Sequence, residues 1–144
     1  MKPQVFACLI FMVLMFLIEP NVHYTPIKNK TYHVPRKVFP ATFEIRSSED
    51  RILQPNERAF IPTGLTLNIP SGYHGHLYPD VSLELSGIHL IPTIIPSGEN
   101  RSIEPLVFNG RRMFDYMIMS NRTVAFIVFN KHIVQDTVLL LIIM

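Results

Sequence analysis

His74 and His76 stand two residues apart, and on a β-strand that spacing puts both imidazoles on one face. Such a pair could start a transition-metal site, which needs three or four ligands. No third ligand lies nearby in sequence, so the expectation is two solvent-facing histidines and no metal site. Serine, histidine and aspartate all occur, but no Gly-x-Ser-x-Gly elbow presents a nucleophile, which argues against a hydrolase triad. Arg111 and Arg112 follow the turn pair Asn109-Gly110 and read as a solvated tip. They are candidate partner-binding residues, because exposed arginine is favoured at interaction hot spots. Phe108, Phe114, Phe126 and Phe129 are expected in the core rather than on a platform for stacking bases. Asn29, Asn100 and Asn121 each begin an Asn-x-Ser/Thr sequon, where roughly one is expected by chance. They are candidate glycosylation acceptors.

The elements that must position these residues follow from composition and pattern. The chain has 144 residues, is 48% hydrophobic and only 17% charged, and carries 12 prolines against 6 glycines. Disordered chains are richer in charge and poorer in apolar residues, and long helices do not tolerate proline so often. The net charge of +2 implies no polycationic nucleic-acid surface. The single cysteine, Cys8, can form neither an internal disulfide nor a cysteine-based zinc site.

Residues 1–20 form a hydrophobic leader. Its apolar run, 5–18, has the size of a signal-peptide core and is short for a transmembrane helix, so a signal, an anchor or a membrane-associating segment are all open. Residues 21–40 are polar, basic and proline-containing, and read as an extended arm. Residues 41–133 show short strands at hairpin spacing. Leu65, Leu67 and Ile69 alternate with polar residues, and 73–78, 81–85, 88–95, 103–108 and 113–119 read as further strands. Asn109-Gly110 predicts a tight hairpin between the last two. The run 124–129 is apolar on both faces, which suggests burial by an oligomer interface as well as by the core. Residues 134–144 form a hydrophobic C-terminal arm. The architecture expected is all-β, a jelly roll or β-sandwich.

Several stretches together resemble the trimeric dUTPases. FEIRSSED at 43–50, followed by LQPNERAFIPTG at 53–64, resembles the family's first motif and the strand after it. IPSGYHGHLYP at 69–79, LVFN at 106–109 and NRTVAFIV at 121–128 resemble later segments at kept spacing. The resemblance covers about 41–130 and implies a jelly-roll subunit and a homotrimer. It also implies active sites shared among subunits, hydrolysing dUTP to dUMP and pyrophosphate with magnesium.

Position by position, the resemblance places Glu44 at the metal-side aspartate of the first motif. It places Asp80-Val81-Ser82 at the second motif's Arg-Ser-Gly phosphate cradle. Pro96 falls at the water-activating aspartate, Glu99 at the tyrosine under the uracil, and Ala125 at a phosphate-contacting glutamine, while Arg122 is kept. An aspartate at 80 would repel a triphosphate, and proline does no acid–base chemistry. A glycine-free tail, 137–144, stands where the family has a Gly-rich closing arm.

The expectation from these positions is a scaffold kept and a chemistry lost. The chain then most resembles the adenovirus early-region-four ORF-one proteins, dUTPase-derived trimers without dUTPase activity that bind host signalling proteins. On that reading it needs no cofactor and works as a host-protein interaction module in the host-cell cytoplasm or at a membrane. The C-terminus, with Ile142 where a PDZ ligand usually has Ser or Thr and Met144 at the end, is a candidate PDZ-type ligand. One alternative is a diverged, magnesium-dependent dUTP hydrolase or nucleotide-binding protein using Glu44 and Glu99 with Arg101 or Arg122. Another is a secreted or membrane-displayed glycoprotein on the same scaffold.

Overall fold

A computed structural model describes residues 22–131, together with Pro3 and Gln4. Residues 5–18 with Cys8, and Ile142 and Met144 in the C-terminal arm, lie outside the described residues. Among the described residues the first strands are β1 (His23–Pro26), β2 (Arg36–Phe39), β3 (Thr42–Arg46), β4 (Arg51–Leu53), β5 (Arg58–Phe60), β6 (Leu65–Ile69) and β7 (Tyr73–Pro79). One short helix, α1 (Val81–Leu85), comes next. Then follow β8 (Ile88–Leu90), β9 (Thr93–Ile95), β10 (Gly98–Ser102), β11 (Leu106–Asn109), β12 (Tyr116–Ile118) and β13 (Thr123–Lys131). The fold is the all-β sandwich that the alternation in β6 predicts: Leu65, Leu67 and Ile69 are buried, and Thr66 and Asn68 between them are half-exposed.

Every strand pairing is antiparallel. The largest sheet has the order β2-β3-β13-β7-β9, and three smaller ones have the orders β1-β6-β10, β5-β11-β8 and β12-β4. Strand β13 lies at the centre of the largest sheet. Val124, Ala125, Ile127 and Phe129 are buried, and Phe126 and Val128 on the other face are half-buried. Ile45, Leu53, Ile61, Ile103, Val107 and Ile118 complete the core around them.

Three expectations of strand placement are corrected. Residues 81–85 form α1 because the Asp80 side chain accepts the N–H of Leu83 at 3.2 Å, an N-cap that starts a helical turn. Only Leu83 of this turn is buried. The run 88–95 divides at Pro92 into β8 and β9, which join different sheets. Asn109-Gly110 makes no hairpin: β11 pairs with β5 and β8, and β12 pairs with β4. Neither residue takes the positive φ that a two-residue hairpin turn of this type needs. Within the arm at 21–40, β1 pairs with β6 and β2 with β3. Phe114 is also not a core residue; it stands exposed, while Phe108 and Phe126 are half-buried.

Candidate active site

The register of the largest sheet gathers several of the predicted positions. Glu44, Phe126 and Tyr78 form one cross-strand row of β3, β13 and β7; Ile45, Ala125 and Pro79 form the next. Beyond it the chain leaves β7 through Asp80 and enters β13 through Arg122. Glu44 and Arg46 therefore lie toward the same end of the sheet as Asp80, Ser82 and Arg122.

Two ion pairs organise this end. Glu44 is largely buried, and its Oε2 accepts from Arg46 Nη2 at 2.9 Å, with Arg36 Nε 3.5 Å away. Arg46 Nη1 donates to Asn121 Oδ1 at 3.0 Å. Asp80 Oδ2 accepts from Arg122 Nη2 at 3.2 Å and from the Ser82 hydroxyl at 2.5 Å, and Arg122 Nη2 also bonds to Ser82 Oγ. Asp80 is thus not the isolated repelling anion expected from its type; its charge is matched by Arg122. Val81 points outward, and Ala125 is sealed in the core with no exposure.

Pro96 and Glu99 lie elsewhere. Strand β9 pairs Ile95 with Gly75, so Pro96 continues toward the start of β7, roughly 20 Å along the strand from Asp80 at about 3.3 Å per residue. Glu99 is exposed on β10 and lines a groove of about 420 Å³ with His23, Asn68, Ser71 and Ser97. Arg101 folds back there, donating to the Ser97 carbonyl from Nε at 3.3 Å and Nη2 at 3.0 Å. One chain does not bring Glu99 to Glu44.

The remaining candidates are placed as follows. His74 and His76 are half-buried with ring centroids 4.6 Å apart, not simply solvent-facing, and His76 stacks on Tyr78 at 6.2 Å. Among the described residues no group of three His, Cys, Asp or Glu side chains could hold a metal ion, and no helix is long and apolar enough to cross a membrane. Arg111 is half-buried with its guanidinium 5.2 Å from the Phe114 ring, and Arg112 is exposed. Asn29, Asn100 and Asn121 are exposed and share a left-handed backbone, with φ of 63°, 52° and 70°. Sequence reasoning missed Arg36, Arg46 and the Ser82 hydroxyl. Arg46 was findable, because it stands two residues after Glu44 and so shares its face.

A profile of the dUTPase family matches residues 29–139. The chain belongs to the dUTPase family. Among its relatives are proteins named deoxyuridine 5'-triphosphate nucleotidohydrolase. The one from Tropheryma whipplei is 30% identical over 82 residues, 54% of this chain and 56% of the relative. The one from Paramecium bursaria Chlorella virus 1 is 24% identical over 102 residues, covering 70% and 72%. The chain thus spans little more than half the length of the first of these. The fold is also that of a variant dUTPase from phage phi11 of S. aureus, with a TM-score of 0.71 at 18% identity, covering 79% of this chain and 92% of that one. That structure is described as showing the coordination of a structural Mg(II) ion. The Staphylococcus bacteriophage 80alpha dUTPase superposes with a TM-score of 0.70 at 17% identity.

These relatives overturn the expectation of a non-catalytic interaction module. The curated proteins that this sequence resembles carry the name of an enzyme. The physical premise of that expectation also weakens at Asp80, which forms an ion pair and does not stand alone.

Proposed function

We propose that this dUTPase-family protein is a diverged dUTP nucleotidohydrolase, which releases dUMP and pyrophosphate. The observation that carries the reading is that Glu44 lies toward the same end of the central sheet as the bonded group of Asp80, Ser82 and Arg122. Arg122 and Arg46 carry further N–H groups that can donate to phosphate oxygens, where charge-assisted hydrogen bonds are strongest, while the Ser82 hydroxyl spends its proton on Asp80. Glu44 receives both arginines on Oε2, so Oε1 can take a water of a hydrated cation. Magnesium is usually held by one or two carboxylates together with substrate phosphates, and this end of the sheet carries two, Glu44 and Asp80, each paired with arginine. When bound with substrate it would neutralise phosphate charge.

Pro96 supplies no base, so the proton of the attacking water falls to Glu44 or Glu99. Glu99 reaches the Glu44 end only from another copy of the chain, and the proposal therefore includes a homotrimer with shared sites. Exposed Tyr78 and Ile94, which flank a groove of about 430 Å³, are apolar surface that such an assembly would cover. With a nucleotide substrate, the proposal includes a cytoplasmic location, which cell fractionation checks. Thermal unfolding with magnesium and a non-hydrolysable dUTP analogue tests the reading. A ligand at a hundred times its Kd stabilises by about 2.7 kcal/mol, and an unmoved midpoint at millimolar analogue counts against the proposal.

A further inference from the structure

We propose that the loop after β11, with the end of α1 beside it, is a tip that docks on an anionic membrane surface. Met113 and Phe114 in this loop are 82% and 63% exposed, and Leu85 at the end of α1 is 85% exposed. Among the described residues Leu85 and Met113 are the two most exposed large apolar side chains. The Gly110 N–H donates to the Gly87 carbonyl at 2.9 Å, which ties the loop to the turn that ends α1 and sets these side chains at one corner of the molecule.

The tip is firmly mounted. Buried Asn109 donates to the Phe114 carbonyl at 3.1 Å and accepts the Arg111 N–H at 3.0 Å, closing the loop across its base. The Arg111 stem crosses Gly87, where a Cβ would lie 3.0 Å from its Cγ, and its guanidinium lies 5.2 Å from the Phe114 ring. The apolar side chains are therefore held outward by a fixed backbone.

The charge around the tip selects the surface. Arg111 and Arg112 directly precede the apolar pair, and Arg58 on β5 pairs with Phe108, 4.9 Å from its ring. Against them stand exposed Asp115, and Glu57 and Glu84, whose carboxylates are engaged by Arg51 at 2.9 Å and by His89 at 2.6 Å. Arginine suits a lipid interface because its stem lies along apolar groups while its head reaches the phosphates. Projecting apolar side chains beside cations are the pattern of proteins that lie on anionic lipid. A protein partner would need a preformed pocket to enclose side chains that project this far, whereas acyl chains close around them without one. The proposal stands apart from the hydrolase reading and agrees with it in compartment, since the cytoplasmic leaflet carries the anionic lipids.

The chain contains no tryptophan, so Phe114→Trp places a single reporter on the tip and keeps an aromatic ring beside Arg111. The full chain is mixed with vesicles of phosphatidylcholine alone, and with vesicles in which one lipid in four is phosphatidylserine. Because the apolar run 5–18 is a second route to a vesicle, the reporter and the variants, not binding as such, read the tip. The emission should move to shorter wavelength with the phosphatidylserine vesicles and not with the others, and added salt should reverse the move. Sedimentation with these vesicles should fall about fivefold in Arg112→Ala and about tenfold or more in Met113→Ser. Both residues are exposed, so the thermal midpoint should stay in place.

Emission that vesicles leave unmoved overturns the proposal, as do variants that sediment as the wild type does. A shift that appears on concentrating the protein without lipid assigns the tip to contact between copies of the chain, and overturns it too.

Discussion

The Glu84 carboxylate lies 2.6 Å from His89 Nδ1, and its other oxygen accepts the Leu90 N–H at 3.0 Å. This clasp ties α1, which carries Ser82, to strand β8. Burial opposes ionisation of Glu84, but the hydrogen bonds from His89 and Leu90 and the His89 charge outweigh it, and its pKa lies below the ordinary 4.5. A carboxyl depressed by folding adds stability that is present above its unfolded pKa and lost as the pH falls through its folded value. The thermal midpoint should therefore drop as the pH falls below about 4.5. Glu84→Gln should flatten that acid limb and leave the profile above it parallel. An unchanged limb in the variant contradicts the clasp.

Asn109 is fully buried and works as a cross-link. Its Nδ2 is shared among the carbonyls of Leu53, Gln54 and Phe114 at 3.0, 3.2 and 3.1 Å, and its Oδ1 accepts the Arg111 N–H at 3.0 Å. Asn109→Ala leaves these groups without a partner in a dry site, at a cost of about 2–4 kcal/mol. Urea unfolding measures it. A loss below about 0.5 kcal/mol, the level of a neutral surface change, would show the cross-link to be dispensable.

Gly64 has φ of +70°, and a Cβ there would lie 2.2 Å from the Thr31 carbonyl oxygen. Its own carbonyl accepts the Ile27 N–H at 2.8 Å, fastening the chain after β1 to the end that leads into β6. Gly64→Ala combines left-handed strain with a backbone clash, and should cost about 1–3 kcal/mol. The arm should loosen first, so trypsin should cut at Lys28 or Lys30 faster than in the wild type. Equal cleavage rates contradict this attachment.

Light scattering of the purified protein should give three times the chain mass. Ile94→Asp, a charge placed in apolar surface beside the groove, should shift the mass toward the monomer and abolish dUTP turnover, while far-UV circular dichroism stays unchanged. A wild-type monomer that is active removes the shared-site account.

How much of this was legible in the sequence depends on which forces decide each element. The alternation of Leu65, Leu67 and Ile69 and the apolar run of β13 are written in hydrophobic pattern, and both are strands. Val81-Ser82-Leu83-Glu84-Leu85 alternates as a strand does, yet one side-chain bond from Asp80 turns it into a helix. Asn109-Gly110 has the composition of a hairpin, yet the Asn109 amide is drawn inward by three carbonyls from distant parts of the chain. At the site, Glu44 and Arg122 could be picked out by motif spacing. That Asp80 pairs with Arg122 depends on the register among β3, β13 and β7, which no local pattern encodes.

The most direct test is pyrophosphate release from dUTP with magnesium by the wild type and by Glu44→Gln. The account predicts wild-type turnover of about 1 per second or more, within the usual enzyme range. It predicts a loss of at least about a hundredfold in the variant, the scale of an acid–base or metal-side carboxylate. No release above the magnesium-only background, or equal rates in both proteins, would contradict it.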